Sequence, residues 1–209
     1  MFITFEGIEG SGKTTQNHKC AEFLKTLGYD VVQTREPGGT ALGAKLRQLI
    51  LDPEQAFAHP QTEILLFYAD RLEHVAQVIK PALAKGQIVL CDRYIDSTRA
   101  YQIGGRKMPA DFIESLNAQI DLMPDLTVLF DLDPQEGIRR AAKRAALDRF
   151  EHEALAFHQA VRDTYLSLAH QEPHRIWKIE VAGLDPEAVF SKVSVEIQSR
   201  IQQKQRVGG

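Results

Sequence analysis

Gly7-Ile8-Glu9-Gly10-Ser11-Gly12-Lys13-Thr14 combines residue types and spacing that suit one chemistry, the handling of phosphate. Glycines let backbone N–H groups close around an anion where a Cβ would clash. The run from about Thr15 to Leu27 is helix-compatible, and its N-terminus adds partial positive charge behind the loop. Lys13 can reach the outer phosphates of a nucleoside triphosphate, while the Thr14 hydroxyl suits a Mg²⁺ coordination position. Glu9 is unexpected there, because a carboxylate repels the anion such a loop attracts. It is expected to face away from that anion, toward hydroxyls of a second substrate or water on a metal.

Further along, Asp92-Arg93-Tyr94 follows the apolar run Ile88 to Cys91. A carboxylate at the end of a buried strand, near a phosphate loop, suits a Mg²⁺ contact, and Arg93 would face the same cleft. Helical spacing from Glu63 to Val75 places Ile64, Phe67, Arg71 and Val75 near one face. Arg71 on that face requires an acidic partner or a ligand, and a flat apolar ring beside a fixed donor suits a nucleobase. Arg139, Arg140, Lys143, Arg144 and Arg149 crowd a short alanine-rich segment. Such a segment is either a solvated helix face or a lid, over about 139–150, that brings cations to a transferring phosphoryl group.

These residues need a frame that gathers them. Met1 to Phe5, Val31 to Thr34, Ile88 to Cys91, Leu126 to Phe130 and Ile176 to Ile179 are apolar runs of strand length separated by helical patterns. Strands alternating with helices predict an α/β fold, a parallel five-stranded sheet with helices on both faces. Open sheets of this kind bind ligands at the carboxyl ends of the strands, where the unusual residues fall. Gly28 is predicted to close the first long helix, and Asp133-Pro134 and Asp185-Pro186 to open later ones. No internal repeat or linker divides residues 1–209, and the polar stretch from about 203 to 209 is expected to fray.

With a formal net charge of -3, the 209-residue chain has no global attraction for nucleic acid or an acidic membrane, so any anion site is local. Cys20 and Cys91 have no metal-ligand spacing and are expected to be reduced core residues in a cytoplasmic setting. No window reaches the length of a membrane span, and no signal peptide is expected. The guanine-reading pattern Asn-Lys-x-Asp is absent, which argues against a GTPase switch.

Taken in order, Gly7 to Thr14, Thr34-Arg35-Glu36-Pro37-Gly38-Gly39-Thr40, Asp92-Arg93-Tyr94, Ser97-Thr98-Arg99-Ala100-Tyr101-Gln102 and Leu147-Asp148-Arg149 resemble bacterial thymidylate kinase. The resemblance runs to about residue 170, and its Arg-Glu-Pro-Gly-Gly-Thr segment is far more specific than the phosphate loop. It implies a three-layer P-loop nucleoside monophosphate kinase fold with a short lid, in which ATP and Mg²⁺ phosphorylate dTMP to dTDP, usually in a homodimer. The face near Phe112, Leu116 and Ile120 is one candidate for that dimer contact.

By position, the resemblance puts Phe67 on thymine, Arg71 on its carbonyl, Arg93 on the acceptor phosphate and Tyr101 under the deoxyribose. Thr98 and Gln102 would face the base. Arg35, Glu36 and Pro37 would shape the acceptor pocket, and Glu9 would lie near the sugar 3′-hydroxyl or a metal-bound water. Gly7 to Thr15 with Arg149 would hold ATP. Because no basic residue precedes Lys13 in the loop, the transition-state charge falls to the lid. Arg140 and Arg144 match lid arginines, Ala142 stands where an arginine is often found, and Arg144 is the preferred candidate.

Overall fold

In the computed structural model, which describes residues 1–143 and 149–207, the five apolar runs become five strands. They are β1 (Phe2–Glu6), β2 (Val31–Arg35), β3 (Ile88–Asp92), β4 (Leu126–Asp131) and β5 (Ile176–Glu180). All neighbours pair in parallel in the order β2-β3-β1-β4-β5. Every residue of β1 and β4 is buried, which is why those strands read as unbroken apolar runs. The outer strands are more open: β2 has no fully buried residue and β5 buries only Ile176 and Ile179, so β5 carried the weakest signal.

The period of two divides the core. Ile3 and Phe5 face one layer with Leu24 of α1 (Lys13–Thr26) and Val193 and Ile197 of α9 (Pro186–Val207). Phe2 faces the other with Ile64 and Tyr68 of α3 (Pro60–His74) and Ile113 of α6 (Ala110–Asn117). Phe112 and Leu116 pack part-buried against this second cluster, and Ile120 is buried in it.

Local signals act where expected. Gly28, at φ 86°, turns the chain out of α1 and its N–H donates to the Lys25 carbonyl at 2.9 Å. Asp133 caps α7 (Pro134–Ala141) by accepting from the N–H groups of Gln135 and Glu136. Asp185 accepts from the Ala188 N–H at 2.8 Å. Cys20 and Cys91 are unbridged and buried. Among the described residues no helix is long and apolar enough to cross a membrane.

Two stretches are π-helical rather than α-helical. α3 widens into a π-helical segment, Val75–Ile79, before α4 (Lys80–Ala84). A second, Arg99–Gly105, follows α5 (Ile95–Thr98). Thr98, Tyr101 and Gln102, spaced i, i+3 and i+4 across this junction, all border one cleft.

Candidate active site

The cleft opens at the carboxyl ends of β1, β2 and β3 and encloses about 280 Å³. One wall is the phosphate loop. Gly7, Gly10 and Gly12 all have positive φ, and a Cβ at Gly7 would lie 2.6 Å from the Phe130 carbonyl. A side chain at Gly10 would collide with the Gly137 carbonyl of α7, and one at Gly137 would come within 2.6 Å of the Glu9 carbonyl. The loop and α7 therefore pack backbone on backbone.

Lys13 is buried and donates to the Ile8 carbonyl at 3.2 Å. Burial, with the Arg93 guanidinium close by, pushes its ammonium down to about 8. Bound polyphosphate would reverse that. The Thr14 hydroxyl donates to Asp92 Oδ2, while Asp92 Oδ1 is buried without a hydrogen-bond partner. Ile8 and Ser11 are buried within the loop, and Thr15 is exposed on the first turn of α1.

Opposite the loop stands Arg93, at φ 69°, a left-handed conformation that costs a side-chain-bearing residue on the order of 1 kcal/mol or more. Its Nη1 donates to the Gly7 carbonyl at 3.0 Å and to Ser97 Oγ at 3.2 Å. Its Nη2 donates to Glu9 Oε1 at 2.7 Å and to the Tyr101 hydroxyl at 3.1 Å. The same Glu9 oxygen accepts from the Tyr101 hydroxyl at 2.6 Å. Burial alone would raise the Glu9 pKa, yet Arg93 beside it holds the carboxyl well below the usual carboxylate range. Glu9 Oε2 and the buried His158 Nδ1 lie 3.6 Å apart.

Arg71, 2% exposed, has the acidic partner its position demanded. Its Nε donates to Glu36 Oε2 at 2.7 Å, Nη1 to Thr98 Oγ1 at 3.0 Å and Nη2 to the Tyr94 carbonyl at 3.1 Å. Glu36 Oε1 also meets His74 Nδ1 at 2.9 Å. Three of the five guanidinium N–H groups are used, and the others can serve a ligand. Phe67 is part-buried at the cleft edge with its ring centroid 6.1 Å from that of Phe150. Arg35 is exposed and Pro37 buried along the same wall.

The cleft thus gathers Glu9, Gly10, Lys13, Thr14, Arg35, Glu36, Pro37, Phe67, Arg71, Asp92, Arg93, Thr98, Tyr101 and Gln102. Arg140 and Arg149 do not line it. Arg140 pairs with Glu136 at 2.7 Å on its own helix. Arg149 is drawn to buried Glu63, with Nη2 2.6 Å from Oε2, and its Nε donates to the Ile50 carbonyl at the end of α2 (Ala41–Leu51). Arg144 falls outside the described residues.

Four residues escaped the sequence reading. Phe150 lies in the cleft wall beside Phe67 and Tyr101. His74 and Asp70 are buried behind Glu36, and Glu6 lies beneath Arg93. The signal for Glu6 was an acid closing an otherwise apolar buried strand. It accepts from the Tyr94 N–H at 2.7 Å, Ser97 Oγ at 2.6 Å and the Tyr165 hydroxyl at 2.8 Å.

Burial, then the nearby Asp96 carboxylate, pushes Glu6 up to about 7; burial, then Glu36, pushes Asp70 up to about 6. An acid raised in the folded state stabilises the fold fully below its unfolded value and loses that contribution as pH rises through the folded one. Through these two groups, melting temperature is therefore expected to fall from about pH 4 to about pH 7. The Glu6 contribution, from 4.5 to about 7, is on the order of 3 kcal/mol. Glu6→Gln should flatten the part of that decline between about pH 4.5 and 7; identical slopes by scanning calorimetry would refute the role given to Glu6.

A phosphate loop at the end of the first strand, facing a second pocket of cations and aromatics, defines a P-loop protein built for two substrates. The thymidylate kinase family model matches residues 5–193. A thymidylate kinase of Pelobacter propionicus is 48% identical over 208 residues, 96% of this chain and 95% of that protein. One from Pseudomonas putida is 50% identical over 184 residues, 87% and 89% of the two chains. The crystal structure of thymidylate kinase from Ehrlichia chaffeensis superposes with a TM-score of 0.77 at 39% identity, covering 95% of this chain and 98% of that one. The chain belongs to the thymidylate kinase family, whose reaction is the ATP-dependent phosphorylation of dTMP to dTDP.

Proposed function

We propose that the loop side of the cleft binds Mg-ATP, that the Phe67–Arg71 side binds dTMP, and that the γ-phosphoryl group passes between them in line. The observation that carries this reading is the convergence of Lys13, Thr14 and Asp92 with Arg93, Glu9, Phe67 and Arg71 on one cleft. An oxygen of the acceptor phosphate forms the new bond to the γ-phosphorus as the bond to the β,γ-bridging oxygen breaks and ADP leaves. The side chains have to position and neutralise, since none acts as nucleophile.

Lys13 reaches the outer phosphates, and Arg93 takes the acceptor phosphate, oriented by Glu9 and Tyr101. A hydroxyl beside a carboxylate with an unpartnered buried oxygen is a hard donor set, and Thr14 with Asp92 would hold Mg²⁺. When bound, the ion neutralises charge on the phosphates. Arg144 is the arginine assigned to the transferring group, on its place in the lid sequence, with Arg140, paired to Glu136, as the second candidate. Lid closure over the site excludes water, the competing acceptor.

Phe67→Ala tests the acceptor side. Calorimetric titration should show dTMP affinity reduced by about 10–100-fold, the size of a lost aromatic contact, with ATP affinity within about twofold. Equal losses for both ligands would count against the assignment of the two sides.

A homodimer is proposed from apolar surface. Leu42 and Leu49 on α2 are 47% and 40% exposed, and Leu65 and Leu72 on the adjacent α3 are 50% and 49% exposed. Each pair is seven residues apart, so each helix presents a leucine stripe of the kind that marks an interface. Light scattering should give twice the chain mass, and Leu72→Glu should shift it toward the monomer; a monomeric unsubstituted protein would end this reading. ATP and dTMP as substrates support a cytoplasmic location.

A further inference from the structure

We propose that Glu63 sets the base preference of the acceptor pocket, by holding the Gln102 amide with its carbonyl oxygen free for a pyrimidine that carries a proton on N3. The inference rests on the reading of the Phe67–Arg71 side as the acceptor pocket. Glu63 lies in the first turn of α3, 6% exposed, and Gln102 lies in the π-helical segment Arg99–Gly105, 1% exposed and bordering the cleft. Gln102 Nε2 donates to Glu63 Oε1 at 3.0 Å.

A carboxylate only accepts hydrogen bonds, so the amide has to turn its NH₂ end toward Glu63. Its oxygen end is thereby presented on the other side, and among the described residues no hydrogen bond engages Oε1. The carboxylate is itself anchored. Arg149 Nη2 is 2.6 Å from Oε2, and Arg106 Nε is 3.7 Å from Oε1.

An amide locked in this way is a fixed acceptor. Thymine and uracil bear a hydrogen on N3 and can donate to it; cytosine has a lone pair there and would oppose it, leaving both groups unsatisfied in a dry site. Neighbouring Thr98 has no such bias, because a hydroxyl rotates to give or take. The spare N–H groups of Arg71 add a preference for a carbonyl on the base. Gln102 with Glu63 therefore contributes part of the discrimination. The same carboxylate carries Arg149, so the end of the lid and the base-reading amide share one anchor.

The test compares kcat/KM for dTMP and dCMP, with Mg-ATP as donor, in the unsubstituted enzyme and in Glu63→Gln. A glutamine there can donate as well as accept, which lets the Gln102 amide invert. The dTMP-to-dCMP ratio is expected to fall at least about tenfold, and a common loss from the broken Arg149 pair cancels in that ratio. Gln102→Ala separates the two levels of the inference. If it leaves both acceptors unaffected, the acceptor-pocket reading itself fails. If it raises KM for dTMP while Glu63→Gln preserves the ratio, the role of Glu63 is overturned. A crystal structure of the unsubstituted enzyme with dTMP decides the matter without any variant. Thymine N3 within about 3.2 Å of Gln102 Oε1 is the expected result, and N3 bonded to Thr98 or to water overturns it.

Discussion

Arg93→Met is expected to lower kcat by about 10³ and to raise KM for dTMP, with KM for ATP changed much less. An arginine on a transferring or accepting phosphoryl group is worth roughly 10³ to 10⁵ in rate where it has been measured. Arg93 is also the hub between the loop and the acceptor wall, through the Gly7 carbonyl, Glu9, Ser97 and Tyr101. Arg93→Lys should recover little, because an ammonium cannot reproduce a planar fork that serves several acceptors. Arg144→Ala should show a kcat loss of similar size with KM for dTMP nearly unchanged. Steady-state kinetics in both substrates distinguishes the two signatures. A kcat for Arg93→Met within about tenfold of the unsubstituted enzyme would remove Arg93 from the chemistry.

Arg71→Met should be the most damaging single change to the acceptor side, in stability as well as binding. Arg71 and Glu36 are both almost fully buried and lie 2.7 Å apart. Deleting one member of a buried pair strands the other charge, at a cost of about 3–5 kcal/mol. Urea denaturation should show that loss, and dTMP affinity should fall by about 100-fold or more. Adding Glu36→Gln should restore much of the stability, because the stranded charge is gone, without restoring dTMP binding. Recovery of binding in the double variant would mean that Arg71 serves only the fold.

The sequence carried the sheet well because β1, β3 and β4 are buried on both faces, and such strands leave unbroken apolar runs. It also carried Gly7 to Thr14, since close backbone approach at Gly7 and Gly10 admits only glycine and the spacing follows from that geometry. Arg71 was legible by its misfit, a cation on an apolar face. Its partner Glu36, 35 residues away, was legible only through a known motif.

What local patterns could not reveal was set by tertiary contact. Arg149 reads as one more cation of the lid, yet it is taken by Glu63, whose charge is buried only once α3 packs. The π-helical segments Val75–Ile79 and Arg99–Gly105 have no signature in spacing. Glu6 owes its environment to Ser97 and to Tyr165 of α8 (Leu155–Gln171), and His158 of the same helix meets Glu9 of the loop.

The central claim is that this cleft passes phosphate from ATP to dTMP. A coupled assay of ADP release with Mg-ATP across the common nucleoside monophosphates tests it most directly. The account predicts the highest kcat/KM for dTMP, with dUMP second by roughly 10–200-fold, the worth of one methyl group in an apolar pocket. A different preferred acceptor, or ADP release indifferent to the acceptor, would contradict it.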